Sequence, residues 1–212
     1  MIATLRCLLA VACLSLPLTA AVTLNQLETF SGNHDWSSGD PNPNPPVTVA
    51  GSGPLGTGDS SLRVTSNGGN AAGGRLIVFN ETLWTGNYTT AGILSLTADL
   101  RNNATTTLSM RLAFNGPGGW FVTQVAPVTA FSGWTGQVFD VCPVALVSAG
   151  GGDAAATLAA VSELRILHSA AVDYRGAKVS SSFLVDNVRA IPEPSAAMVL
   201  CLASGLVFFR KR

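Results

Sequence analysis

Two neighbouring stretches, Ile93-Leu94-Ser95-Leu96-Thr97-Ala98-Asp99-Leu100 and Leu108-Ser109-Met110-Arg111-Leu112-Ala113-Phe114, decide the fold. In the first, Leu94, Leu96, Ala98 and Leu100 alternate with Ser95, Thr97 and Asp99. In the second, Leu108, Met110, Leu112 and Phe114 alternate with Ser109, Arg111 and Ala113. A period of two puts every second side chain on the same face of an extended chain. Each stretch therefore reads as a strand with one face on a core. Working outward, β-prone runs also occupy Val22 to Phe30, Ser61 to Thr65, Arg75 to Phe79, Trp120 to Val125, Trp134 to Val141, Glu163 to His168 and Ser182 to Ala190. Turn chemistry separates them, at Asn67-Gly68-Gly69-Asn70, Asn115-Gly116-Pro117-Gly118-Gly119 and Gly150-Gly151-Gly152. Asp153 to Val161 is the single helix signal, an Asp cap followed by two turns of Ala and Leu. About nine short strands and one short helix predict an all-β jelly-roll β-sandwich over residues 22–190.

Composition removes several classes of function. Twelve Lys and Arg balance twelve Asp and Glu in 212 residues, and only 11% of residues are charged. Nucleic-acid binding calls for a basic face, which this balance does not supply. No His-Glu-x-x-His, Gly-x-Ser-x-Gly, phosphate loop or Cys/His cluster occurs, and His34 and His168 are the two histidines. A non-catalytic protein is the expectation.

The ends read as addresses. Arg6, the apolar run Cys7 to Leu18 and the small residues Thr19-Ala20-Ala21 have the layout of a secretory signal peptide over residues 1–21. At the other end stand Ile191-Pro192-Glu193-Pro194-Ser195, the apolar run Ala196 to Phe209, and Arg210-Lys211-Arg212. Fourteen apolar residues form about 21 Å of helix, a short transmembrane segment. The basic end is expected on the cytoplasmic side, with the body outside. Between the ends, Cys142 is the one cysteine of the body, so no intramolecular disulfide is expected despite export.

The segment from Val185-Asp186-Asn187-Val188 through Pro192-Glu193-Pro194 to the basic tail resembles a PEP-CTERM sorting signal. That resemblance implies a transmembrane sorting helix within residues 191–212 and processing by a membrane exosortase. Its destination would be the cell surface or extracellular matrix, reached through an inner-membrane intermediate. The body resembles jelly-roll carbohydrate-binding modules in Leu27-Glu28-Thr29-Phe30, Gly58-Asp59-Ser60-Ser61-Leu62-Arg63-Val64, Ser132-Gly133-Trp134-Thr135 and Phe183-Leu184-Val185-Asp186-Asn187-Val188. The leading expectation is a structural or adhesive surface protein. The alternatives are a module that binds extracellular polysaccharide and, third, a glycan-active enzyme.

Three sets of side chains carry the candidate chemistry. Pro192, Glu193 and Pro194 form the sorting motif. Trp84, Tyr88 and Trp120 are candidate sugar platforms, because an aromatic face suits the apolar C–H face of a sugar ring. Alternation places Asp186 on the same face as Leu184 and Val188, and a buried carboxylate needs a partner. The module resemblance implies a structural Ca²⁺ held by Asp186, Glu28 and loop carbonyls.

Overall fold

The computed structural model describes residues 21–192. The leader, Glu193 and Pro194 of the motif, and the apolar tail lie outside the described residues, apart from Ala21. Among those described, no helix is long and apolar enough to cross a membrane.

Thirteen strands form two antiparallel sheets. The first sheet contains β1 (Leu27–Glu28), β3 (Val47–Val49), β4 (Ser61–Asn67), β6 (Ile93–Asn102), β10 (Thr135–Asp140) and β13 (Ser180–Pro192). Its order is β10-β6-β13-β4-β3, with β1 against the far end of β13. The second contains β2 (Trp36–Ser37), β5 (Ile77–Asn80), β7 (Leu108–Asn115), β8 (Phe121–Val122), β9 (Ala126–Val128), β11 (Val147–Ser148) and β12 (Glu163–His168). Its order is β11-β8-β7-β12-β5-β2, with β9 beside β7. The nine expected strands are present in whole or part. The four additional ones, β2, β3, β9 and β11, are two or three residues long, too short to show a period. Helix α1 (Ala154–Ala159) is capped by Asp153, whose side chain accepts the N–H of Ala156.

The deciding alternation holds from Leu96 onward, but at the start of β6 the register shifts against β13 and Ile93, not the expected Leu94, enters the core. Leu96, Ala98 and Leu100 on β6, Leu62 and Val64 on β4, and Phe183 and Val185 on β13 line the inner face of the first sheet. They meet Met110, Leu112 and Phe114 on β7 with Leu164 and Ile166 on β12. Packing two apolar faces in this way is what makes a sandwich stable.

Strand β13 departs from simple alternation. Asp186 pairs with Asp99, whereas Arg189 pairs with Thr97, so one extra residue of β13 bulges out between them. Asn187 takes φ +50° at this point, a conformation asparagine tolerates better than most residues. The bulge inverts the parity of the strand. Phe183 and Val185 face the core before it, and Val188 and Ala190 face the core after it. The expectation that Leu184, Asp186 and Val188 share the core face is therefore corrected, since Asp186 pairs across to Asp99 on the outer face. It is nevertheless fully buried. The loop between β3 and β4 folds over this end of the outer face, with Ser52 Oγ 2.6 Å from Ser61 Oγ.

The segment expected to carry an exposed Trp84 and Tyr88 closes one end of the core instead. Trp84 is 1% exposed and Tyr88 0%. Gly86 bridges to Val161, the N–H of Tyr88 donates to the carbonyl of Leu158, and Val22 N–H donates to that of Thr85. Tyr88 Oη donates to the Trp84 carbonyl, and its ring packs edge-on against Phe114. Two large rings in a short polar stretch look loop-borne, but the open end between the sheets must be filled.

This core predicts unequal costs of truncation. Leu100→Ala is expected to lower the unfolding free energy by about 2–5 kcal/mol, and Val144→Ser at the surface by no more than about 0.5 kcal/mol. Urea unfolding checks both.

Candidate functional site

Outside the core, the described residues concentrate chemistry in two places. The first is the outer face of the second sheet. There Ile77, Ala113, Val122 and Leu167 form a small second apolar cluster, with Trp120 and Tyr174 packed on it. Each is dictated by parity, because the partners of these positions on β5, β7, β8 and β12 fill the core. The rings of Trp120 and Tyr174 stack at 4.3 Å and 8°. The Arg165 guanidinium sits 4.1 Å from the centre of Trp120 and 5.7 Å from that of Phe79, as a cation over aromatic faces.

Hydrogen bonds hold this arginine in place. Its Nε donates to Glu163 Oε1 at 2.6 Å, and its Nη1 donates to the Tyr174 carbonyl at 3.0 Å. Arg111, almost fully buried, donates to the carbonyls of Thr123 and Ser169 and so ties the loop after β12 to the sheet. Burial lowers the Arg111 pKa, yet three carbonyl partners keep the guanidinium satisfied. Trp120, Tyr174, Phe79 and Arg165 remain partly accessible. The result is a preorganised, partly accessible aromatic shelf beside a cation that the buried Glu163 carboxylate holds. Of the expected sugar platforms, Trp120 alone reaches such a surface. Phe79 and Arg165 were not legible in sequence, although the parity of β5 and β12, read beside Trp120, could have suggested both.

The second place is Asp186. Neither carboxylate oxygen has a donor in bonding geometry. Burial pushes its pKa up to about 7, the Asn187 N–H offsets part of this, and the charges of Asp59 and Asp99 raise it further. A proton shared with the Asp59 carboxyl would raise it too. Asp59 is held from behind, since its Oδ2 accepts the Leu55 N–H at 2.9 Å. Asp99 accepts Asn187 Nδ2 at 2.9 Å.

Glu28 was expected beside Asp186. Its Oε1 accepts the Phe30 N–H at 3.0 Å, and it lies opposite Val188, past the bulge. The carboxylates bearing on Asp186 are those of Asp59 and Asp99, so Glu28 is corrected as its partner. A hard cation would suit the Asp59 and Asp186 carboxylates, with loop carbonyls completing its shell. No group of three or more His, Cys, Asp or Glu side chains converges among the described residues, so any cation here would depend on those carbonyls.

The architecture matches known structures. No family model matches the sequence, and no curated protein is significantly similar to it. A family 11 carbohydrate-binding module from Clostridium thermocellum, solved with a β-1,3-1,4-mixed-linked tetrasaccharide, superposes with TM-score 0.50 at 17% identity. The match covers 79% of this chain and 95% of the module. The CBM22-1 and GH10 modules of a Clostridium thermocellum endo-1,4-β-D-xylanase, solved with xylohexaose, match with TM-score 0.50 and 18% identity over 80% of this chain and 28% of theirs. An exo-β-agarase matches with TM-score 0.56 and 12% identity over 80% of this chain and 25% of its own. The chain thus has the β-sandwich fold of carbohydrate-binding modules.

The Asp186 pocket generates a pH prediction. A carboxyl whose folded pKa lies above its unfolded value stabilises the fold below about pH 4, and that contribution is lost as pH rises through about 7. In EDTA, Asp186→Asn is expected to recover about 2–4 kcal/mol at pH 8 relative to wild type and to flatten the stability profile between pH 4 and 8. Chemical denaturation across that range checks it.

Proposed function

We propose that this protein is an exported, non-catalytic module that binds extracellular polysaccharide on the outer face of its second sheet. The single observation that carries the reading is the Trp120–Tyr174–Arg165 shelf. A stacked aromatic pair gives a sugar ring an apolar seat, and the guanidinium that buried Glu163 holds in place can meet its hydroxyls. Because β7, β12 and the loop after β12 hold these groups in place, little ordering cost would accompany binding. The fold shared with carbohydrate-binding modules supports this over the purely structural role expected from sequence.

Retention on immobilised mixed-linkage β-glucan, xylan and agarose tests the proposal. Trp120→Ala is expected to weaken retention about tenfold or more, the effect of losing roughly 1.4 kcal/mol, while the melting temperature stays within a few degrees of wild type. Equal retention of wild type and Trp120→Ala on every retaining polymer would sink it.

The Asp59–Asp186 pair supports a second reading, a structural Ca²⁺. The ion would supply the positive charge that the Asp59 and Asp186 carboxylates lack and would pin the loop between β3 and β4 to the sheet. Ca²⁺ at a hundredfold excess over its Kd is then expected to raise Tm by about 5–10 °C, and Asp186→Asn to abolish that response. An unchanged melt in EDTA and in Ca²⁺ would exclude the ion.

The ends complete the proposal. Residues 1–21 would direct export, and Pro192-Glu193-Pro194 with the following tail would be processed by an exosortase after a membrane-held stage. Strand β13 runs to Pro192, which pairs with Ile93, so the folded domain reaches the first residue of the motif. Intact-mass analysis of protein recovered from the cell surface should show both ends removed, and a retained tail would contradict sorting.

A further inference from the structure

A groove of about 470 Å³ crosses the outer face of the first sheet, on the side of the sandwich away from the aromatic shelf. It runs over β10, β6 and β13. Asp99, Asn187 and Arg189 line it as polar groups, and Leu27 and Val138, 44% and 65% exposed, form its apolar parts. Its width at the centre comes from Gly136. A Cβ there would meet the Asp99 Oδ1 at 3.4 Å, so the absent side chain leaves the space above that carboxylate open. The polar lining is set in position. Asn187 Nδ2 donates to Asp99 Oδ2, which orients both groups and leaves the Asn187 carbonyl oxygen and Asp99 Oδ1 to the groove. The bulge at Asp186–Asn187 is what brings Asn187 beside Asp99.

We infer that this groove is a second binding site for a neutral polysaccharide strand, so that one molecule can hold two glycan chains on opposite faces. Charge and shape argue for that occupant. One carboxylate and one guanidinium leave the groove without a net charge, which disfavours a polyanion or polycation. Planar carboxylate, amide and guanidinium groups suit pairs of neighbouring hydroxyls, and exposed Leu27 and Val138 suit the C–H faces of sugar rings. The groove is open along its length, as a polymer requires. The inference rests on the polysaccharide-binding reading above, but its residues are all distinct from that shelf. Two sites on a rigid body would cross-link polymer chains and raise avidity over either site alone.

The test compares wild type, Trp120→Ala, Gly136→Val, Arg189→Ala and the Trp120→Ala/Gly136→Val double variant. Each is run by affinity electrophoresis in gels containing mixed-linkage β-glucan, xylan or agarose, with thermal melts as a folding control. Gly136 lies on a strand, and a Cβ there makes only ordinary contact, so valine should fold while filling the groove. Two sites predict that each single variant retains part of the retardation, weakened about tenfold, and that the double variant runs as in a polymer-free gel. Wild type should also bind two oligosaccharides per chain, by calorimetry with hexasaccharides of the retarding polymer. Arg189→Ala provides a second arm, expected to weaken the Trp120→Ala background further. If Trp120→Ala abolishes retardation and the groove variants match wild type, the second site is overturned and the shelf stands. If no gel retards the wild type, both fail. If only the groove variants lose retardation, the shelf fails and the groove is the binding site.

Discussion

The pairing of β13 with its neighbours is the constraint on which the rest depends. This strand lies between β6 and β4 for its first half and between β6 and β1 for its second. Once β13 is fixed, the first sheet has its order and the core has one wall. The bulge at Asp186–Asn187 lets one strand serve both halves. It resets the parity so that Val185 and Val188 both face inward, and it leaves Asp186 and Asn187 as polar groups on the outer face. A straight strand in this place would turn either its first or its second half inside out.

The two candidate sites follow from opposite uses of an outer sheet face. On the second sheet, the loop after β12 is drawn down by Arg111 and Arg165, and aromatic side chains fill the space between loop and sheet. On the first, the loop between β3 and β4 covers only the Asp186 end and leaves a groove beside it. Burying Asp186 is expensive in a metal-free protein, since an ionised carboxylate in such a place loses its water and regains only part of that from the Asn187 N–H. Such a cost persists when something in the working state offsets it, and a bound cation or a shared proton would each do so.

Much of the fold was legible because its signals are periodic. Alternation from Leu96 to Leu100 and from Leu108 to Phe114 survives in β6 and β7, Glu163 to His168 is β12 without adjustment, and the Asp153 cap starts α1 as expected. What failed was geometry that one residue can change. A single inserted residue in β13 reversed the face of everything beyond it, which periodicity across Leu184, Asp186 and Val188 cannot reveal. Trp84 and Tyr88 stand among Gly, Asn and Thr, the composition of an exposed loop, yet they close the sandwich end because a large ring fills space wherever the chain crosses an opening. Trp120 was legible as a candidate by its glycine-flanked position. Its companions Tyr174 and Arg165 come from a distant loop and strand, and only the folded chain brings them to it.

The most direct test of the central claim uses the four tryptophans as reporters. Each indole N–H gives its own signal in a ¹H–¹⁵N spectrum, and the residues stand in different places: Trp36 and Trp84 in the core, Trp134 just before β10, Trp120 on the shelf. Titration with hexasaccharides of β-1,3-1,4-glucan, xylan and agarose should move the Trp120 signal in at least one series while those of Trp36 and Trp84 stay in place. A Trp120 signal that holds still while any other indole moves, or no movement in any series, would contradict the account.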